Sequence, residues 1–312
     1  MVHVRIEEFV TPGTRDDACK KRSMNDVLAG TAAAVAGVTV AHPFDLIKTR
    51  LQTGVGGEVG ALSMLRSAVA SEGPLSLFKG LSSALYGYVP ADVIMFATYG
   101  FCRNALADEA AGESEETLPI SKVAAAGLAA GLSYVPLVVP FEVVKIRMQV
   151  DTVGSFKDTS VFGAAQRIAQ REGVGSLFRG FGATALRESS EHMIYFAAFE
   201  AIKRQIRQAR MVEPGKFDHV AAMVGGGLAG GVAYLSMYPI DVVKSIIQAE
   251  EGATRGMAEV GKELFRKHGL NGFYRGAGPV VLQVLPENAV LLYTYDLVMH
   301  LLRQEHDSAA EQ

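Results

Sequence analysis

Long apolar stretches alternate with short mixed ones along the chain, and the alternation comes in threes. Runs rich in Ala, Gly and Val cover 24–52, 120–149 and 218–248, and each closes on a charged segment. A second apolar stretch follows each of them, at Leu81–Arg103, Phe181–Lys203 and Ala277–Met299. A membrane-crossing helix needs ~20 mostly apolar residues, so the pattern predicts six spanning helices. Between the members of each pair lie Leu62–Ser71, Val161–Arg171 and Met257–Lys267. Their apolar and charged residues recur at helical spacing, which suits short amphipathic helices at a membrane surface.

A repeated motif fixes the register. Pro-Phe-Asp-Leu-Ile-Lys-Thr-Arg-Leu-Gln from Pro43 to Gln52 returns as Pro-Phe-Glu-Val-Val-Lys-Ile-Arg-Met-Gln from Pro140 to Gln149. It returns again as Pro-Ile-Asp-Val-Val-Lys-Ser-Ile-Ile-Gln from Pro239 to Gln248, the prolines standing 97 and 99 residues apart. A second signal follows each copy: Glu72-Gly73 with Phe78-Lys79-Gly80, Glu172-Gly173 with Phe178-Arg179-Gly180, and His268-Gly269 with Tyr274-Arg275-Gly276. Three two-part matches in one order mark an internal repeat. Ahead of each proline, small residues recur four apart: Gly30 and Ala34, Gly127 and Gly131, Gly226 and Gly230. In lipid that spacing lets helix backbones come close. The expected organisation is a polar segment over 1–23, repeats over 24–106, 118–209 and 217–303, and a polar tail over 304–312.

Composition agrees with this and removes other classes. The chain has 312 residues, 49% of them hydrophobic, and a formal net charge of -3. That charge lacks the basic field of a nucleic-acid binder. Cys19 and Cys102 are too few for a disulfide framework. Residues 1–22 are polar and include Glu7, Glu8, Asp16 and Asp17, so no cleaved targeting segment is expected. No metal-ligand spacing, nucleophile elbow or phosphate loop is present, and Gly225-Gly226-Gly227 falls in a helix-packing run. The chain reads as no enzyme, with no cofactor and no metal.

Proline inside a helix removes a hydrogen bond and bends the axis, so Pro43, Pro140 and Pro239 are the expected kinks. Three residues after each repeated acid stands a lysine: Asp45 with Lys48, Glu142 with Lys145, Asp241 with Lys244. Charges at membrane depth are costly and pair inside a bundle. The pairs could form within each helix at i,i+3 or between repeats as a ring. Gln52, Gln149 and Gln248, able to donate and accept, could brace such a ring.

On these paired signals the chain resembles the mitochondrial carrier family over nearly its whole length. The resemblance implies an all-α membrane protein with six transmembrane helices in three pseudo-symmetric repeats, and short surface helices on the matrix side. It implies alternating access to a central solute cavity in the mitochondrial inner membrane, by a multi-pass monomer. A matrix gate would join each acid to the next repeat's lysine: Asp45 to Lys145, Glu142 to Lys244, Asp241 to Lys48. A cytoplasmic gate would use Tyr99 and Arg103, Glu200 and Lys203, and Tyr295 and Asp296. Gly100 and Met299 replace an acid and a base of that motif, and pairing Arg103 with Glu200 and Lys203 with Asp296 puts both losses on one interface. The family's lipid partner, cardiolipin, would meet the turns at Gly73, Lys79 and Gly80, at Gly173, Arg179 and Gly180, and at Gly269, Arg275 and Gly276. The other reading of those turns is helix punctuation.

The family's solute contacts, seven residues after each Lys/Arg-Gly glycine, fall on Gly87, Arg187 and Gln283. Glu188 follows Arg187. Asp92, Glu191, His192 and Glu287 occupy neighbouring helical positions, and His42 precedes the first proline. An arginine can fork a carboxylate while a glutamate receives a cation. The chemistry therefore suits a cationic or zwitterionic small solute and disfavours nucleotides and tricarboxylates. Arg187-Glu188, His42, Gly87 and Tyr238–Ser245 resemble the carnitine/acylcarnitine and basic amino acid branch. Basic amino acids or carnitine esters, exchanged by an antiporter, are expected. An S-adenosylmethionine carrier is one alternative, and a carrier-like scaffold or sensor that does not transport is another.

Overall fold

The computed structural model describes residues 17–55, 57, 59–107, 118–156, 160–211, 219–252, 255–283, 286–287, 290, 293–294, 297–298 and 300–301. Among them are eight complete α-helices and no strand. They are α1 (Asp17–Thr53), α2 (Ala61–Glu72), α3 (Leu81–Leu106), α4 (Ile120–Val150), α5 (Val161–Glu172), α6 (Phe181–Ala209), α7 (His219–Ala249) and α8 (Met257–His268). Residues 277–283 and the described positions from 286 to 301 are also helical. The expected runs at 24–52, 120–149 and 218–248 are the bodies of α1, α4 and α7, and the three short amphipathic segments are α2, α5 and α8. Gln283 and Glu287 lie in the described part of the last helix, whereas Tyr295, Asp296 and Met299 lie outside the described residues.

The five long helices have 26 to 37 residues. At ~1.5 Å rise per residue each exceeds the ~30 Å hydrocarbon core of a bilayer. By composition alone, Leu28–Thr53 and Ile120–Val150 are the two described helices apolar enough to register as spans. The reason is visible in α6, which carries Glu188, Glu191, His192 and Glu200 on its buried side. On α7 the exposed residues Val224, Leu228, Val232 and Leu235 follow one another at helical spacing, while Ala229, Ala233, Tyr238 and Val242 are buried. An apolar outside with charge and small residues inside is the arrangement for a helix facing lipid.

Helices α1, α4 and α7 run on through their prolines. The glycines of the paired signals all have positive φ: 83°, 84° and 60° at Gly73, Gly173 and Gly269, and 82°, 74° and 81° at Gly80, Gly180 and Gly276. These angles favour glycine because a Cβ would strain there. Each first glycine ends a surface helix and opens a short 3₁₀ turn, at Pro74–Phe78, Val174–Phe178 and Gly269–Tyr274.

By internal contacts the chain forms two compact units, 1–89 with 144–164 and 275–312, and 90–143 with 165–274. In the first, Leu46, Ile47 and Leu51 of α1 bury Met64 of α2, with Ala61, Leu65 and Leu77 around them. In the second, α6 packs along α7, and Val260 and Leu264 form the buried face of α8. There α4 also meets α6 backbone to backbone. A Cβ on Gly127 would fall 2.7 Å from the His192 carbonyl oxygen, and one on Gly131 would fall 2.6 Å from that of Glu188. In α7 a Cβ on Gly225 would lie 3.4 Å from Phe199, and one on Gly230 would lie 3.8 Å from Tyr195.

Candidate functional site

In the first unit, α1 and the lower end of α4 bring Asp45 and Lys145 together. Lys145 Nζ lies 2.6 Å from Asp45 Oδ2, and Gln149 Nε2 donates to the same oxygen at 2.9 Å. Lys145 also donates to the Tyr88 hydroxyl at 2.9 Å and lies over its ring. Charge-assisted bonds of this kind are about twice as strong as neutral ones. The Gly80 turn presses close, since a Cβ there would lie 3.0 Å from the Lys145 carbonyl oxygen. His42 is buried and hydrogen-bonds the Lys79 carbonyl through Nε2 at 2.8 Å. It thus ties α1 to the turn.

The second unit repeats the arrangement one module on. Lys244 Nζ sits 2.6 Å from Glu142 Oε1, and Gln248 Nε2 donates to Glu142 Oε2 at 3.2 Å. Gln248 also reaches the Thr184 hydroxyl at 3.2 Å, and a Cβ on Gly180 would lie 3.0 Å from its Cγ. Both lysines therefore reach the preceding repeat's acid, as the ring reading expects. The third expected pair, Asp241 with Lys48, joins residues of different units and stays a proposal.

Beside the Glu142–Lys244 pair lies a cluster built by α6 and α7. Arg187 contacts Glu188 through Nη1, Glu191 through Nη2 at 2.7 Å and Asp241 through Nε at 2.9 Å. Glu188 is also 3.8 Å from Lys244, and His192 Nδ1 bonds the Glu188 carbonyl at 2.7 Å. Glu188, Glu191, His192, Asp241 and Lys244 are all buried. One arginine thus faces three carboxylates, of which Glu188 also lies near Lys244. Asp241, expected only at the gate, is thus also a partner of Arg187, the arginine expected to meet solute. In the first unit, Gln283 donates to Glu287 at 3.0 Å. Gly87 is buried and Asp92 is partly buried.

Sequence reasoning missed Tyr88. Its signal was available, because Tyr88 holds the position in the first repeat that Glu188 holds in the second. It also missed Arg204. Glu200, expected at the cytoplasmic gate, contacts Lys203 at 3.0 Å and Arg204 at 2.8 Å on its own helix. Arg204 in turn holds the Leu118 carbonyl at 2.6 Å. Tyr99 stacks on Phe196 at 3.7 Å, with Arg103 over the Tyr99 ring.

The surface-side basic residues are committed to protein. Lys79 Nζ lies 2.5 Å from Glu72 and donates to the Asp151 carbonyl at 2.9 Å, while Arg50 pairs with Glu72 at 2.6 Å. Partial burial raises the Glu72 carboxyl, but hydrogen bonds from Arg50 and Lys79 overcome it and hold the group below its usual range. Arg179 contacts Glu172 at 2.8 Å and donates to the carbonyls of Glu250 and Gly252.

A repeated acid joined to the next repeat's lysine, beside a glycine turn, can be compared with known families. The model of the mitochondrial carrier protein family matches three successive segments, 20–110, 116–210 and 216–306. The chain belongs to the mitochondrial carrier family. It is a multi-pass protein of the mitochondrial inner membrane, of a family that transports small-molecule solutes. The carrier is 33% identical over 289 residues to the mitochondrial substrate carrier family protein S of Dictyostelium discoideum, covering 90% of this chain and 99% of that one. It is 33% identical over 291 residues to the mitochondrial basic amino acids transporter of Homo sapiens, covering 90% and 91%. It is 31% identical over 307 residues to the mitochondrial glycine transporter YMC1 of Saccharomyces cerevisiae, covering 95% and 99%.

Proposed function

We propose that this carrier exchanges a cationic or zwitterionic amino-acid-like metabolite, a basic amino acid foremost, by alternating access. The observation that carries the reading is Arg187, its side chain 11% exposed, among Glu188, Glu191 and Asp241. Arginine is the residue for a carboxylate, and the carboxylates around it receive a cation. The excess of acid opposes solutes that carry several negative charges. Relatives named for basic amino acids and for glycine support an amino acid over a carnitine ester.

In this mechanism the Asp45–Lys145 and Glu142–Lys244 pairs, with Asp241–Lys48 as the third, form the matrix gate. Gln149 and Gln248 brace it, Gln52 being the third repeat member. Separating one buried ion from its partner costs ~3–5 kcal/mol, so the closed gate is a defined state that bound solute must help to open. The cytoplasmic gate closes when Glu200 trades its own-helix partners for Arg103, and Lys203 turns to Asp296. The glycine turns are the candidate sites for lipid phosphate, cardiolipin being the candidate lipid, with the Lys79 and Arg179 side chains already held by protein partners.

The test is uptake into liposomes holding the purified carrier and an internal counter-solute. Lysine, arginine, ornithine, glycine, carnitine and S-adenosylmethionine are compared. Exchange of a basic amino acid, lost in Arg187→Ala and Glu188→Gln, is the expected result. Uptake that survives both substitutions removes the site, and exchange of carnitine alone removes the amino-acid reading.

A further inference from the structure

We infer that Glu191 selects solutes with a second, distal positive charge, an inference that rests on the amino-acid reading above. A guanidinium offers a carboxylate two forked edges, Nε with Nη2 and Nη1 with Nη2. Nη2 belongs to both. In this carrier Nη2 faces Glu191 at 2.7 Å, while Nη1 holds Glu188 and Nε faces Asp241 at 2.9 Å. Any solute carboxylate that forks Arg187 therefore evicts Glu191.

The Nε–Nη2 edge is the one prepared for this exchange. Among the described residues, Arg187 Nε and Glu191 Oε2 are buried at ion-pair distance from their partners without an aligned hydrogen bond. The Nη1 contact to Glu188 is an aligned hydrogen bond. A carboxylate entering at Nε and Nη2 displaces Asp241, the proposed gate partner of Lys48, as well as Glu191, and leaves Glu188 tied to the arginine, next to the solute's α-ammonium. Glu191 is left buried and in need of a cation. It stands four residues from Arg187 on α6, ~6 Å along the helix axis. A basic side chain extending from the α-carbon along α6 supplies that cation, and a neutral side chain does not. The charge count agrees. Arg187 faces three carboxylates, a zwitterion adds no net charge to the cluster, and a basic amino acid adds one positive charge.

The experiment compares lysine with Nε-acetyl-lysine, which keeps the α-carboxylate and α-ammonium but lacks the distal charge. Uptake into proteoliposomes is measured for the wild-type carrier, Glu191→Gln and Glu191→Asp. The wild type should favour lysine at least tenfold in kcat/KM. Glu191→Gln should reduce that ratio to less than threefold, and Glu191→Asp should keep a ratio above it. A ratio unmoved in Glu191→Gln overturns the inference. If Glu191→Gln does not fold, the wild-type comparison decides alone, equal uptake of the two solutes being the contrary result. A wild type that moves neither compound overturns the amino-acid reading itself, and that outcome is distinct from equal uptake.

Discussion

Replacing Gly131 by alanine puts a methyl group where α4 already touches α6. The new Cβ would lie 2.6 Å from both the Glu188 carbonyl oxygen and Ser189 Cα. Backbone cannot swing aside as a side chain does, so the helices must part by about 0.8 Å to restore ordinary contact in a close-packed interior. Overpacking of this kind costs ~1–3 kcal/mol. Alanine recovers ~1 kcal/mol of helix propensity over glycine. Gly227→Ala is the matched control, because a Cβ on Gly227 meets nothing within 4 Å. Both variants gain the propensity, so their difference isolates the packing cost, ~1–3 kcal/mol. At ~2–4 °C per kcal/mol, the unfolding midpoint of Gly131→Ala in detergent should lie at least ~2 °C below that of Gly227→Ala. Uptake should fall with it, since Arg187 and Glu188 ride on the displaced backbone. Equal midpoints and equal uptake in the two variants would refute the packing argument and the claim that Gly131 positions the site.

Three further outcomes follow from the same geometry. Lys244→Met strands buried Glu142 and should destabilise the carrier by ~3–5 kcal/mol, with Glu142→Gln added to it restoring part of that loss; strictly additive unfolding midpoints would show that the pair is not coupled. Because Glu72 is held below the ordinary carboxylate value of 4.5, its stabilisation is complete above pH 4.5 and is lost as pH falls through the lower folded value. Glu72→Gln should therefore flatten the acid limb of the midpoint–pH curve, and an unchanged limb would contradict the assignment. If the Asp45–Lys145 and Glu142–Lys244 pairs are the closed matrix gate proposed above while Glu200 stays on its own helix, the resting carrier opens to the cytosolic side; a cysteine near Arg103 should then label from that side, and preferential labelling from the matrix side would contradict this.

The helices were legible because their signals are local and repeated. The glycine of each paired signal could be placed at a turn from its neighbours alone, and the structure gives it a positive φ in all three repeats. The crossing of acid to the next repeat's lysine was a different matter. Spacing alone left the i,i+3 pairing open, and the resemblance implied the choice that places Lys145 on Asp45 and Lys244 on Glu142. Asp241 shows what a single chain hides, since a repeated residue read as serving one ring also contacts Arg187, two modules' motifs meeting in space. Tyr88 was missed because a phenol in an apolar run reads as packing until the lysine over it is seen. Arg204 was missed because it stands one residue past the gate motif, where a helix end is usually solvated.

The account depends on charge pairs that form and break between neighbouring repeats, and Asp45 with Lys145 tests it most directly. Counter-exchange is measured for Asp45→Lys, for Lys145→Asp and for the two together. Each single reversal should stop exchange, having set two like charges within a buried site, and the double reversal should recover a measurable fraction of it. Exchange at the wild-type rate in either single variant would contradict the proposed gate.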